Sequence, residues 1–320
     1  MIETINLTKR YGDLVALDNL NLTIEEGDCF GFIGPNGAGK TTTIKILATL
    51  LKPSSGQAQI DGLTVGYQNR QIRPVIGYVP DFMGAYEDMV VIEYLQFFAS
   101  AYGIHGHERM KVVGEVLELT DLAYKSAAEV NSLSRGMQQR LSIARVLLHD
   151  PKVLLMDEPA SGLDPRARIE IRELLKELKR MGKTILISSH ILHELAELCN
   201  VVGIIEKGNL LYSGSVRDIL KRARVGHVLH IGVAEGTEKA VSVLEAIEGV
   251  KRVGITVAED GPATGGPSRI IHVEYEEAPG RSYTDLPNVL VNNGFRIAQF
   301  SEEAVNLETA FMRLTKGLVQ

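Results

Sequence analysis

The amino-acid sequence predicts an α/β fold: a mixed, mainly parallel sheet core with an antiparallel β subdomain and a helical insert, followed by a small α+β domain. Three observations predict it. Short apolar runs alternate with turn dipeptides over residues 1–66, apolar strands alternate with amphipathic helices over residues 153–208, and residues 226–320 repeat strand and helix in a shorter rhythm. The chain has 320 residues, enough for about two domains of ordinary size. Hydrophobic residues make up 45 % and charged residues 23 %, an ordinary globular balance. The net charge of −6 offers no basic field, so no nucleic-acid partner is expected. No apolar stretch approaches the ~20 residues that span a bilayer, and the start MIETINLTKRYG lacks a signal-peptide core. Any role at a membrane is therefore expected to run through a partner. Cys29 and Cys199 lie far apart in the sequence and read as reduced, small hydrophobes of a cytoplasmic protein.

In chain order, strands are expected at Ile2 to Leu7, Val15 to Leu17, Leu20 to Ile24 and Cys29 to Ile33, with a helix at Thr42 to Leu50. Gln57 to Ile60 is a further strand closed by Asp61-Gly62, a turn pair. From about Val91 to Val130 the pattern becomes helical, with Tyr94, Leu95 and Phe98, then Val113, Val116, Leu117 and Leu119, at three- and four-residue spacing. This marks a helical insert over about residues 88–150. Strand Val153 to Asp157, helix Pro165 to Met181, strand Thr184 to Ser189, helix Ile191 to Cys199 and strand VVGIIEKG then imply a parallel sheet. In the first of these helices Ile169, Ile171, Leu174, Leu175 and Leu178 are expected near one side.

Beyond the basic run KRAR, the boundary is expected near Lys221 to Gly226, giving domains 1–222 and 226–320. The tail reads as strand Val228 to Val233, helix Lys239 to Ile247, strands Lys251 to Ala258 and Ile270 to Tyr275, helix Leu286 to Asn293 and strand Phe295 to Phe300. A last helix runs through Leu307 to Leu314, and EDGPATGGPS is an exposed loop. The order βαββαβ predicts a ferredoxin-like domain.

Chemistry enters at Gly34 to Thr41, GPNGAGKT, between an apolar strand and a helix. Gly-x-x-x-x-Gly-Lys-Thr in that setting is a triphosphate-binding loop, because glycines let successive N–H groups turn inward onto an anion that the helix dipole also attracts. Gly34, Asn36, Gly37, Ala38, Gly39, Lys40, Thr41 and Thr42 are the candidate ATP-binding residues. Lys40 can reach the β/γ-phosphates and the Thr41 hydroxyl can hold Mg²⁺. Strand VLLMDE ends in two carboxylates: Asp157 is the candidate metal holder and Glu158 the catalytic base, adjacent side chains on an extended strand end that point to different sides.

Further along stand Leu133-Ser134-Arg135-Gly136-Met137-Gln138, then DEPASGLDP and, after TILISS, His190. With these the chain resembles the ATP-binding-cassette (ABC) family over about Met1 to Arg222. That resemblance implies an ATPase whose two copies, identical or paralogous, close head to tail on two ATP molecules. Ser134 and Gly136 then act as the signature that meets a γ-phosphate on the other subunit, Asp164 as the D-loop acid, His190 as the catalytic switch histidine and Tyr11 as the aromatic on adenine. Two positions depart from the family pattern. Arg135 and Met137 stand where a glycine and a glutamine are common, and Arg135 could either add charge near the opposing ATP or lie on the surface. Asp81, after GYVP, replaces a glutamine that normally contacts Mg²⁺ or water, and is a candidate ligand to both ATP and metal. The combination of LSRGMQQR, the acid after GYVP, the ferredoxin-like tail and NLETAFMRLTKG resembles ATPase subunits of ABC-2 type exporters, which implies a separate membrane-spanning permease that holds this chain at the inner face of the cell membrane. The alternative is a soluble cassette ATPase acting on ribosomes or DNA.

Overall fold

The computed structural model describes residues 1–81, 84, 89–189, 191–223, 227–257, 269–276, 282–303 and 307, and divides into two units, Met1–Asp218 and Ile219–Gln320. In the first unit β1 (Ile2–Tyr11), β2 (Leu14–Ile24) and β3 (Cys29–Ile33) lead into α1 (Lys40–Leu47). Then come β4 (Ser55–Ile60), β5 (Leu63–Thr64), α2 (Asn69–Ile72) and β6 (Ile76–Val79). The insert holds α3 (Val91–Ala101), α4 (Gly106–Leu119) and α5 (Arg135–Leu147). After it stand β7 (Val153–Asp157), α6 (Pro165–Arg180), β8 (Thr184–Ser189), α7 (Leu192–Leu198), β9 (Val201–Glu206) and β10 (Asn209–Ser215). The division between units falls inside α8 (Val216–Ala223).

The strands form two sheets, ordered β2-β1-β4-β5 and β10-β9-β3-β8-β7-β6. The first is antiparallel and the second parallel except for its β10 edge. Every residue of β3, β7 and β8 is buried, as a strand covered on both faces requires. One core joins both layers through α1, with Ile2, Leu20, Phe30, Phe32, Ile44, Leu47, Ile60, Leu155 and Leu186 in it. Each such side chain contributes about 1.5–3 kcal/mol by leaving water, and together they fix the phosphate loop's flanking strand and helix in place.

Three local features differ from the sequence reading. The two short strands expected over Val15 to Ile24 are one strand, because the pairing of β1 with β2 absorbs bulges at Asn6 (φ 48°) and Asn19 (φ 48°) instead of breaking. Asparagine tolerates that left-handed backbone, and the extra N–H groups find side chains: Asn6 N donates to Asn21 Oδ1 at 2.9 Å and Asn19 N to Thr8 Oγ1 at 3.1 Å. In α6, Ile171, Leu174, Leu175 and Leu178 are buried but Ile169 is 51 % exposed, since two helical steps turn it away from Ile171. The two cysteines are not independent. Their Sγ atoms lie 3.6 Å apart, with the Cys199 thiol seated in the space left by Gly31, where a Cβ would meet it at 3.1 Å. Burial pushes the Cys199 thiol well up.

The second unit carries β11 (His227–Val233), α9 (Thr237–Glu245), β12 (Val250–Val257), β13 (Arg269–Tyr275), α10 (Leu286–Asn292) and β14 (Ile297–Glu302). Its sheet order, β12-β13-β11-β14, with all neighbours antiparallel, is the ferredoxin-like arrangement. Leu229, Ile231, Leu244, Ile271, Val273 and Leu290 form its core. The loop at residues 259–268 and the helix expected after Leu307 lie outside the described residues. Among the described residues no group of three or more His, Cys, Asp or Glu could hold a metal.

Candidate functional site

The phosphate loop takes its shape from contacts that only glycine allows. A Cβ on Gly34 would lie 2.3 Å from the Ile205 carbonyl oxygen. Gly39 has φ 111° and a Cβ there would lie 2.6 Å from Leu17 Cδ2 and 2.7 Å from the Ala16 carbonyl oxygen. Neither position admits a side chain without moving backbone. Gly39 is the N-cap of α1, and no side chain bonds the helix's first N–H groups, which leaves those donors facing the loop. Lys40 is buried. Its Nζ donates to the carbonyls of Gly34 (2.6 Å) and Pro35 (3.2 Å) and lies 3.6 Å from Glu158 Oε1.

Around the loop opens a cleft of about 350 Å³. Tyr11, Leu14 and Ala16 line it together with Asn36, Gly37, Ala38, Gly39, Lys40, Thr41 and Thr42 of the loop and the carboxylates Asp81 and Glu158. Tyr11 and Leu14 pair across the end of the β1–β2 hairpin and are 45 % and 66 % exposed, an apolar shelf suited to a base. Lys9 Nζ lies 5.1 Å from the Tyr11 ring centre.

Asp157 is buried at the end of β7 with its Oδ1 accepting from Thr41 Oγ1 at 3.0 Å and from Ser188 Oγ at 2.8 Å. The next residue does not continue the strand. Glu158 has φ 50°, and its N–H is held by Ser188 Oγ at 3.0 Å and the Ser188 carbonyl at 3.2 Å. Left-handed backbone at a non-glycine residue costs on the order of 1 kcal/mol, so it is this turn, and not strand alternation, that sends the two carboxylates apart. The Thr41 hydroxyl and the Asp157 carboxylate are hard oxygen donors beside a phosphate loop, with Asp81 in the same cleft. That donor set suits Mg²⁺, which takes one or two carboxylates and completes its shell with phosphate and water. Tyr78 on β6 stands close by, and burial together with the charges of Asp157 and Asp81 pushes its phenol up to about 12.

Ser134, Gly136 and Asp164 are not part of this cleft. Ser134 is the N-cap of α5, accepting from Met137 N at 3.3 Å, and Asp164 caps α6, accepting from Ala167 N at 2.9 Å. Gly136 is buried, and a Cβ on it would lie 2.6 Å from Ala167 Cβ, so its smallness serves the packing of α5 on α6. His190 lies outside the described residues. Sequence reasoning missed Ser188; the signal was a hydroxyl residue in a strand expected to be buried on both faces, where burial demands a hydrogen-bond partner.

A parallel sheet that ends one strand in a phosphate loop and its neighbour but one in a buried aspartate defines a phosphate-loop ATPase. Residues 17–161 match the family described as ABC transporter. The chain is 40 % identical over 220 residues, 69 % of its length, to Nod factor export ATP-binding protein I of Cupriavidus metallidurans, of which it covers 73 %. It is 43 % identical over 225 residues to bacitracin transport ATP-binding protein BcrA of Bacillus licheniformis, covering 70 % of this chain and 72 % of that one. A dimeric ATP-binding cassette in a post-hydrolysis state, bound to ADP and Pi, superposes with a TM-score of 0.61 at 29 % identity, over 67 % of this chain and 98 % of that one. The chain belongs to the ABC transporter family, as an ATP-binding and ATP-hydrolysing cassette.

Proposed function

We propose that the chain drives export through a separate membrane-spanning permease, two cassettes closing on two ATP molecules to do so. The observation that carries this reading is the separation of the site's halves. The cleft holds the phosphate loop, Asp157 at its edge and Glu158, whereas Ser134 and Asp164 sit outside it, each at the start of a helix. A second copy brought head to tail would set one chain's α5 N-terminus against the other's γ-phosphate. The relatives named for export and for bacitracin transport, and the dimeric cassette with ADP and Pi, support the direction and the pairing. Among the described residues no helix is long and apolar enough to cross a membrane, which fits attachment at the inner face through a permease. On this reading residues 1–222 are the cassette and residues 226–320 an accessory domain.

In the reaction the N–H groups at the start of α1 hold the phosphates, and the buried Lys40 turns from the loop carbonyls toward the β/γ-oxygens. Thr41, Asp157 and Asp81 would hold Mg²⁺, which supplies charge neutralisation across the phosphates. Glu158, aimed by its left-handed backbone, takes the proton of the attacking water, and His190 contacts the γ-phosphate. Glu158→Gln tests the scheme. It should leave ATP bound, nearly abolish phosphate release and yield an ATP-dependent dimer on size-exclusion chromatography. A mutant that stays monomeric with ATP, or that still turns over, refutes it.

A further inference from the structure

We propose that Arg135 is a positioning residue for the ATPase reaction, acting through the backbone of Gly162. A Cβ built on Gly162 would lie 2.9 Å from each terminal guanidinium nitrogen of Arg135 and 3.1 Å from its Cζ. The guanidinium therefore fills the space that a side chain at 162 would take. Gly162 has φ 65°, so its turn already favours glycine, and the arginine covers the face that the glycine leaves open.

The neighbouring contacts tie the same two segments together. Gly136, one residue on from Arg135, approaches Ala167 at the start of α6, and Asp164 caps that helix. Arg168 Nε donates to the Leu163 carbonyl at 3.0 Å. The 161–164 turn thus meets both Arg168 of α6 and Arg135, the first residue of α5. A planar guanidinium can lie flat over a glycine backbone, and an ammonium cannot. The sequence left Arg135 between a charge near the opposing ATP and a surface residue. Arg135 is exposed, and its placement on its own chain's Gly162 gives this surface residue a further role, making the α5 N-terminus and the 161–164 turn one body. The inference rests on the proposed two-copy site, in which both segments face the partner's nucleotide.

The test is a double-mutant cycle on basal ATPase of the full-length chain, with Arg135→Ala, Gly162→Ala and the pair. Arg135→Ala should lower kcat about threefold to tenfold while KM for ATP and the affinity for a fluorescent ATP analogue change by less than about twofold. Arg135→Lys should not restore kcat. The double variant should be no worse than the poorer single one, because both changes undo one contact. Multiplicative losses, rescue by lysine together with a KM effect in Arg135→Ala, or an unchanged kcat in Arg135→Ala would each overturn the proposal. Thermal unfolding of each variant separates misfolding from lost positioning. ATP-dependent dimerisation of Glu158→Gln, measured beside it, reports independently on the two-copy reading.

Discussion

Replacing Ser188 with alanine isolates the hidden support of the Asp157 carboxylate. Ser188 Oγ donates to Asp157 Oδ1 at 2.8 Å and accepts from Glu158 N at 3.0 Å, in a buried strand end. The methyl of alanine fits the same space, so no cavity arises and the cost is that of hydrogen bonds alone. The bond to a charged acceptor is worth about 1.5–3 kcal/mol. Glu158 N retains the Ser188 carbonyl at 3.2 Å, so the second bond adds little. A net loss of about 2 kcal/mol follows, and at about 2–4 °C per kcal/mol for a unit of this size the cassette's melting temperature should fall by about 4–8 °C. Turnover should fall further than stability alone accounts for, by about tenfold, since among the described residues Asp157 keeps Thr41 alone to orient it and the Glu158 turn loses a clamp. Urea unfolding followed by circular dichroism gives the first quantity, and phosphate release at saturating Mg²⁺ and ATP the second. A stability change below about 0.5 kcal/mol with kcat within twofold of the parent would refute the claim that Ser188 supports both carboxylates.

Asp81→Gln should weaken the dependence of ATPase activity on Mg²⁺ concentration, because a carboxylate needs the metal to tolerate the γ-phosphate and an amide does not; an unchanged Mg²⁺ titration and unchanged transport coupling would count against a role for Asp81. Burial first, then the charges of Asp157 and Asp81, raise the Tyr78 phenol from 10.0 to about 12, which favours its neutral form in the fold. That stability is fully present below pH 10 and is lost as pH rises toward 12, so Tyr78→Phe should flatten the alkaline limb of a stability–pH curve. His149 is shifted down, chiefly by burial, with its Nε2 2.9 Å from the Ile76 carbonyl. Its contribution is present above pH 6.5 and lost as pH falls below that value, and His149→Gln should reduce the acid sensitivity seen in urea unfolding. The buried thiols Cys29 and Cys199 should react slowly with a disulfide reagent in the native protein and at once in urea; rapid native labelling would show that the α7 end opens.

What could be read from the sequence was what short segments decide for themselves. Asp164-Pro165 starts α6 and Ser134 starts α5 because a capping oxygen and a fixed φ act within one turn. Asp61-Gly62, at φ 52° and 74°, closes the β4–β5 hairpin for the same reason. The glycine loop and the strand ending in Asp157 and Glu158 stood out by their order along the chain, and the fold brings Thr41 to Asp157 and Lys40 near Glu158. What could not be read depends on residues remote in sequence. Nothing near Glu158 announces its left-handed backbone, which Ser188 holds from thirty positions on. Cys29 and Cys199 meet only because α7 ends over β3. Arg135 found its place on Gly162 only once α5 had packed on α6.

The seat of Gly34 reaches further than the ATP site. Its floor is the Ile205 carbonyl, and the Gly208 N–H closes on the Ala38 carbonyl at 2.9 Å while Asp18 N reaches the Gly208 carbonyl at 3.0 Å. The motif that reads as eight consecutive residues is therefore moulded by a hairpin some 170 positions later. During synthesis the glycine loop leaves the ribosome long before β9 and β10, and until they arrive it has the β2 side at Ala16 and Leu17 but lacks the seat that Ile205 and Gly208 give it. The growing chain can present its nucleotide-binding letters early, but it acquires a nucleotide-binding surface only when the cassette is nearly complete.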